Sequence, residues 1–230
     1  CVTKYQFSRE EQDQFARESY ERALQAQSSG LFKAEISGIE ISSKTSQQPK
    51  LFDTDEEPSN AQFEKMIQLK PAFNPKGTIT AANASKINDG GAALVLASEQ
   101  AVKKYQLKPI AKLIGQATHA QEPKWFTTAP TSAIQKLLKL TDKKMSDVDL
   151  WEINEAFSTV TMAAMKDLEI KRQKVNVHGG AVALGHPIGA SGARILTTLI
   201  YALKHQNLKT GVASLCIGGG EAVAVMVEII

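Results

Sequence analysis

The feature that most constrains this sequence begins after Lys108. Short apolar runs rich in β-branched residues alternate with longer stretches of helical period. Residues 110–117, 148–153, 175–177, 212–217 and 222–230 read as strands. Residues 131–138, 155–168 and 191–205 read as helices. Repeated β-then-α order needs a sheet with helices laid on its faces, so the expected class is α/β. The last two strands form a closing pair. Glycine-rich or polar insertions interrupt the strand ends: Asn154-Glu155-Ala156-Phe157, the run from Gly179 to Gly192, and Cys216-Ile217-Gly218-Gly219-Gly220. In α/β sheets ligands bind outside the carboxyl ends of the strands, so three distant segments can converge on one site.

The first hundred residues have another texture. Ser8-Arg9-Glu10-Glu11 is a capping box, which predicts a long polar helix over 9–28 packed through Phe15, Tyr20 and Leu24. Ser28-Ser29-Gly30 stops it. Residues 32–42 alternate loosely as a strand, with Ile36, Ile39 and Ile41 apolar. Residues 43–62 are polar and turn-rich and read as a surface excursion. A short helix over 61–69 ends before Pro71. Asn88-Asp89-Gly90-Gly91 is a tight turn signal. Residues 92–97 read as a buried strand, and Ser98 caps a short helix to about Lys104. The chain opens on Cys1-Val2-Thr3 with no initiator Met, which reads as a truncated start.

Composition excludes several classes. Of the 230 residues 43% are hydrophobic and 22% charged, which supplies a core and argues against general disorder. A net charge of +3 gives no basic stripe for nucleic acid. Cys1 and Cys216 are too few for a disulfide scaffold or a four-cysteine zinc site. No apolar run reaches the roughly 18 residues of a membrane span, and there is no secretory signal pattern. The expectation is a soluble protein of a reducing compartment, placed in the cytoplasm.

His186 lies between Gly185 and Pro187, which restrict its backbone. It reads as a general base or as a structural loop histidine. Cys216 ends an apolar strand and precedes three glycines. It reads as a small core residue, or as a reactive thiol whose neighbouring N–H groups stabilise an oxyanion or lower its pKa. Asn154 reads as a helix N-cap or as an amide holding a water or substrate oxygen. The acidic run Asp53–Glu57 is a solvated turn rather than a metal site, and no metal is expected. The glycine-rich segments match neither the P-loop nor the dinucleotide fingerprint.

At these segments the sequence resembles the thiolases, in particular the acetyl-CoA acetyltransferases. Asn154-Glu155-Ala156-Phe157, the histidine run from Gly179 through Arg194, and Cys216-Ile217-Gly218-Gly219-Gly220 match family boxes. Thr80-Ala81-Ala82-Asn83-Ala84-Ser85 with Asn88-Asp89-Gly90 matches a fourth. The resemblance implies a layered αβα fold with a mixed sheet. It implies one complete βαβαβαββ half at 108–230, the end of the other half at 79–107, and the remainder of a loop domain at 1–78. The nucleophilic cysteine of the family would lie upstream of this chain. His186 would activate that thiol, and Cys216 would act as acid and base at the α-carbon of a second acetyl-CoA. Asn154, through a water, and His186 would stabilise the enolate oxygen, and the Gly218 N–H would serve a second oxyanion hole. Ser85, Ala72, Phe73, Ala156 and Phe157 would line the pantetheine tunnel. Coenzyme A thioesters are then substrates, with no separate cofactor. The reaction would be Claisen condensation of two acetyl-CoA, or its reverse. A longer-chain 3-ketoacyl-CoA thiolase and a non-catalytic acyl-CoA-binding fragment are the alternatives. A face exposed by the missing half predicts a homo-oligomer or a partner segment, with no nucleic acid and no membrane as partners.

Overall fold

The computed structural model describes residues 1–42 and 49–230. The polar excursion at 43–62 therefore falls partly outside the described residues, at 43–48. The chain starts with a helical turn, α1 (Val2–Tyr5), and α2 (Arg9–Ser28). The Ser8 hydroxyl accepts from Glu11 N at 3.1 Å while the Glu11 carboxylate accepts from Ser8 N at 2.7 Å, so the capping box forms as expected. Then come β1 (Ile39–Ile41), its antiparallel partner β2 (Lys50–Phe52), the single turn α3 (Phe63–Met66) and α4 (Glu99–Tyr105). The remainder is β3 (Ala111–Ala120), α5 (Ala129–Leu140), β4 (Leu150–Ile153), α6 (Ser158–Leu168), the turn α7 (Ala181–Leu184), α8 (Ser191–His205), β5 (Thr210–Cys216) and β6 (Glu221–Ile229).

These strands form a mixed sheet in the order β3-β6-β5-β4. β4 and β5 are parallel, with Ile153 opposite Ser214, and the other pairs are antiparallel. All of β4 is buried, as expected of a parallel strand covered on both faces. One face is covered by α5 and α6. Ile134, Leu137 and Leu138 of α5 share an apolar stripe and pack with Trp151, Ile153 and Met226. The other face is covered by α8, whose Ile195, Leu199, Ala202 and Leu203 recur at helical spacing and meet Leu150, Ala213 and Val227. Leu137 and Leu199 are fully buried, each worth about 1.5–3 kcal/mol relative to an exposed side chain. The insertion packs separately, with Ala16, Tyr20 and Ala23 of α2 against Val182 and Ala183 of α7.

Three expectations fail locally. Residues 32–42 are not one strand. Phe32 is buried in a 3₁₀ turn (Leu31–Ala34), and only β1 is extended, with Ile39 65% and Ile41 49% exposed. Residues 92–97 form no strand among the described residues, and Val95 and Leu96 are exposed. An apolar run becomes a strand only where another backbone supplies its ladder bonds. Residues 175–177 are reduced to one parallel bridge, Val175 to Trp151, because Asn176 turns into the left-handed region with φ 47°. Elsewhere the expected elements are present, and the limits of α8 match those read from the sequence.

Candidate active site

β4 and β5 run parallel and end side by side, which gathers the site. Asn154 extends the ladder one step past β4, its N–H donating to Ser214 O at 2.9 Å. Cys216 lies two residues beyond Ser214, at the end of β5. Asn154 is not a helix cap, because α6 starts only at Ser158 and its N-cap is Phe157. Its amide nitrogen faces His186 Nε2 at 3.4 Å. Asn154 Oδ1 is buried and has no partner among the described residues.

His186 is fixed from several directions. Its backbone N–H donates to Asn88 Oδ1 at 2.8 Å and to Lys86 O at 3.1 Å. The Asn88-Asp89-Gly90 segment, which does not form the tight turn expected of it, and the histidine run thus meet. Gly185 makes this approach possible: its φ is +93°, and a Cβ there would come within 2.3 Å of Asn88 Oδ1. On the ring, Nδ1 lies 2.6 Å from Ser191 Oγ, whose hydroxyl donates to Pro187 O at 3.0 Å. The contacts run in one direction. The Asn154 amide donates to Nε2, the Nδ1–H donates to Ser191, and Ser191 donates to the carbonyl. Nε2 is then the basic nitrogen. Burial, with a smaller push from the Arg194 guanidinium, holds the imidazole below its usual pKa, so it is neutral and ready to accept a proton. Ser191 was not singled out from the sequence. The sequence places Ser191 at the start of a helix, but that alone does not show that its hydroxyl meets the His186 ring.

For Cys216 the sequence leaves a small core residue and a thiol of lowered pKa as alternatives. Its thiol is buried and pushed up to about 11 by desolvation, which outweighs a backbone hydrogen bond acting the other way. The following glycines do not make it a thiolate, so it begins as a proton donor. Gly218 sits in the open turn between β5 and β6, and a Cβ there would meet nothing within 4 Å. The turn closes through Ile217 N to Glu221 O and Gly220 N to Ile217 O, and the Gly218 N–H has no partner among the described residues. The other thiol, Cys1, lies against Thr159 O at 3.5 Å.

The residues expected around pantetheine also come together. Ser85 N donates to Ala156 O at 3.0 Å, and Ala84 bridges Phe157. The Phe73 ring meets Phe157 edge-on at 5.9 Å. Ala72, whose N–H bonds Ile79 O at 2.8 Å, stands next to Phe73. Ala156 and Phe157 are half-buried and Phe73 is 72% exposed, so they form an open apolar ledge. A separate groove of about 620 Å³, lined by Phe7, Phe15, Met162, Met165, Lys166 and Arg172, shares none of the candidate residues.

Two family models match in sequence order: the thiolase N-terminal domain over residues 1–100 and the thiolase C-terminal domain over residues 107–229. The chain belongs to the thiolase family. A probable acetyl-CoA acetyltransferase of Dictyostelium discoideum is 50% identical over 228 residues, which is 99% of this chain and 55% of that protein. The crystal structure of a Bacillus anthracis acetyl-CoA acetyltransferase superposes with a TM-score of 0.95 at 44% identity, over 100% of this chain and 58% of that one. An Ascaris suum thiolase solved with coenzyme A gives 0.88 at 42% identity, over 100% and 58%. The α/β layers and mixed sheet are thus those of a thiolase fold. This thiolase chain spans a little over half the length of these relatives. Among its described residues no helix is long and apolar enough to cross a membrane.

Proposed function

We propose that this chain is the C-terminal part of an acetyl-CoA C-acetyltransferase, which joins two acetyl-CoA into acetoacetyl-CoA and free CoA, or runs the reverse. Residues 1–78 would belong to its loop domain, 79–107 to the end of its first half and 108–230 to its second half. The observation that carries the reading is the Asn154–His186 contact at the mouth of a parallel strand pair whose second strand ends in Cys216. The acyl-accepting cysteine would come from outside these 230 residues. His186 Nε2 takes that thiol's proton, and the resulting thiolate attacks the thioester carbonyl and expels CoA. Cys216 gives its proton to the departing CoA and, now a thiolate, accepts a proton from the α-carbon of the second acetyl-CoA; the enolate attacks the acyl-enzyme and releases the first cysteine's thiolate, which recovers its proton from His186. Asn154, through a held water, and protonated His186 would stabilise the enolate oxygen, and the Gly218 N–H would join the N–H of the missing cysteine at the second oxyanion. Negative charge forms on two different thioester oxygens, and two donor sets suit that chemistry. Ser85, Ala72, Phe73, Ala156 and Phe157 would hold the pantetheine arm. Among the relatives, the acetyl-specific names favour a short acyl chain over a longer 3-ketoacyl-CoA.

A non-catalytic acyl-CoA-binding role for the 230 residues alone is the second reading. The high pKa of Cys216 and the position of Cys1 at Thr159 favour it. Intact-mass measurement after incubation with acetyl-CoA separates the two. The protein carrying a cysteine-bearing first half should gain one thioester-linked acetyl group, and Cys216→Ala should keep this acylation but lose acetoacetyl-CoA formation by at least about a hundredfold. Acylation that needs Cys216 itself, or condensation unaffected by its loss, would overturn the assignment. In the complete protein the exposed run 92–97 would be covered by that first half or by a second copy, which light scattering of the 230-residue chain can test.

A further inference from the structure

The proposed chemistry leaves one buried polar cluster unused, and it centres on Glu155. This carboxylate is fully buried. Its Oε1 accepts from Asn176 Nδ2 at 2.8 Å. Its Oε2 accepts from the Ser19 hydroxyl at 2.6 Å and from Val182 N at 3.1 Å. Ser19 Oγ in turn accepts from Gly180 N at 2.9 Å. The Asn176 side chain also brackets the last residue of β4, accepting from Ile153 N and donating to Ile153 O, both at 2.8 Å. Both chain neighbours of Asn154, Ile153 and Glu155, are therefore held by this cluster. So are Gly180 and Val182, which open the segment leading to His186. The fit leaves no slack. A Cβ on Gly180 would lie 2.3 Å from the Glu155 carboxyl carbon, and one on Gly179 would lie 2.5 Å from Ser19 O.

Only Ser19 in this cluster comes from α2. The helix does not need the hydroxyl to dock, since Ala16, Tyr20 and Ala23 already pack against Val182 and Ala183. Apolar packing is non-directional, whereas the hydroxyl both accepts from Gly180 and donates to Glu155 and so fixes an orientation. We propose that Ser19 is a positioning residue: acting through Glu155 and Gly180, it sets the placement of His186 against Asn154, so that α2 controls the oxyanion-binding pair. Its catalytic consequence rests on the acyltransferase reading above. The positional part does not.

The test uses Ser19→Ala, with Gln25→Ala on the exposed face of α2 as the control. In the 230-residue chain, amide exchange at Gly180 and Val182 and the ¹⁵N side-chain signals of His186 are followed by NMR. Ser19→Ala should speed exchange at Gly180 by about tenfold or more and move the His186 titration midpoint, while Gln25→Ala changes neither. In the complete protein kcat should fall about five- to twentyfold, with KM for acetyl-CoA within about twofold. Ser19→Cys, which keeps a weak donor and acceptor, should recover part of each effect and serves if the alanine variant does not fold. Wild-type exchange and titration in Ser19→Ala would overturn the proposal, as would faster exchange with His186 unchanged. If the complete protein has no acyltransferase activity, the function fails, while the NMR result still decides the role of Ser19.

Discussion

Ser191→Ala tests whether one hydroxyl fixes the protonation pattern of His186. In the wild type the Nδ1–H has its acceptor at 2.6 Å, and that accepting serine is 1% exposed. Alanine removes the acceptor, so the ring N–H of the half-buried imidazole loses its partner in the protein. A bond from neutral imidazole contributes about 1 kcal/mol, and one from imidazolium roughly twice that. The difference, about 1 kcal/mol, falls on the charged form and lowers the His186 pKa further by somewhat under one pH unit. The acid limb of the pH–rate profile should move down accordingly. On the acyltransferase reading proposed above, with the basic nitrogen no longer selected, thiolysis of acetoacetyl-CoA by the complete protein at neutral pH should slow by about five- to thirtyfold, equivalent to about 1–2 kcal/mol in the barrier. Ser191→Thr keeps the acceptor and should restore most of the rate. The direct assay is the pair of imidazole ¹⁵N shifts, which distinguish an Nδ1–H from an Nε2–H ring. An Nε2–H ring in the wild type, or an Nδ1–H ring with an unmoved midpoint in Ser191→Ala, would refute the reasoning.

Two further predictions concern stability. Glu152 is fully buried and its carboxyl is pushed up to about 8 by burial, against the pull of Arg194 at 3.8 Å. A folded pKa raised above the unfolded value means stability that is present at low pH and is lost as pH rises through about 8. Glu152→Gln should flatten this loss, ending on the order of 1–3 kcal/mol better than wild type at alkaline pH relative to its own value near pH 5 in urea unfolding. Parallel curves for the two proteins would show that Glu152 is not the group responsible. At the β5–β6 turn, Gly220 has φ +104° and a Cβ would lie 2.2 Å from Gln121 O. Gly220→Ala should cost about 2–4 kcal/mol, and a denaturation midpoint matching wild type would mean the turn can relax.

The framework was legible where local signals agree with one another. α2 was bounded correctly because its capping box and the Gly30 stop are both local, and Gly30 does take a left-handed φ of 70°. α8 was legible because its apolar stripe repeats over four turns. Residues 92–97 carry the same strand signal as β5, yet only β5 has a partner on each side. Hydrophobicity says that a run needs cover. It does not say whether a ladder is within reach. Likewise Ile39 and Ile41 alternate as a buried strand should, but β1 pairs only with β2 and stays exposed.

The site was legible as a set of residues and much less so as a set of protonation states. Spacing drew attention to Asn154, His186 and Cys216, but pKa depends on what surrounds a group, and that is supplied from far along the chain. For the histidine the sequence leaves a base and a structural loop residue open, and burial with Arg194 lowers its pKa. For the cysteine the sequence leaves a core residue and an activated thiol open, and burial raises its pKa. The two shifts point in opposite directions on the pKa scale but have one cause, because desolvation favours the neutral form of each group. A resting site of this kind carries little charge of its own. At rest the Asn154 amide donates to a neutral His186, and on the acyltransferase reading proposed above this pair would turn to negative charge that appears only during reaction. A thiolate–imidazolium pair at rest would occupy those same donors and weaken that selectivity.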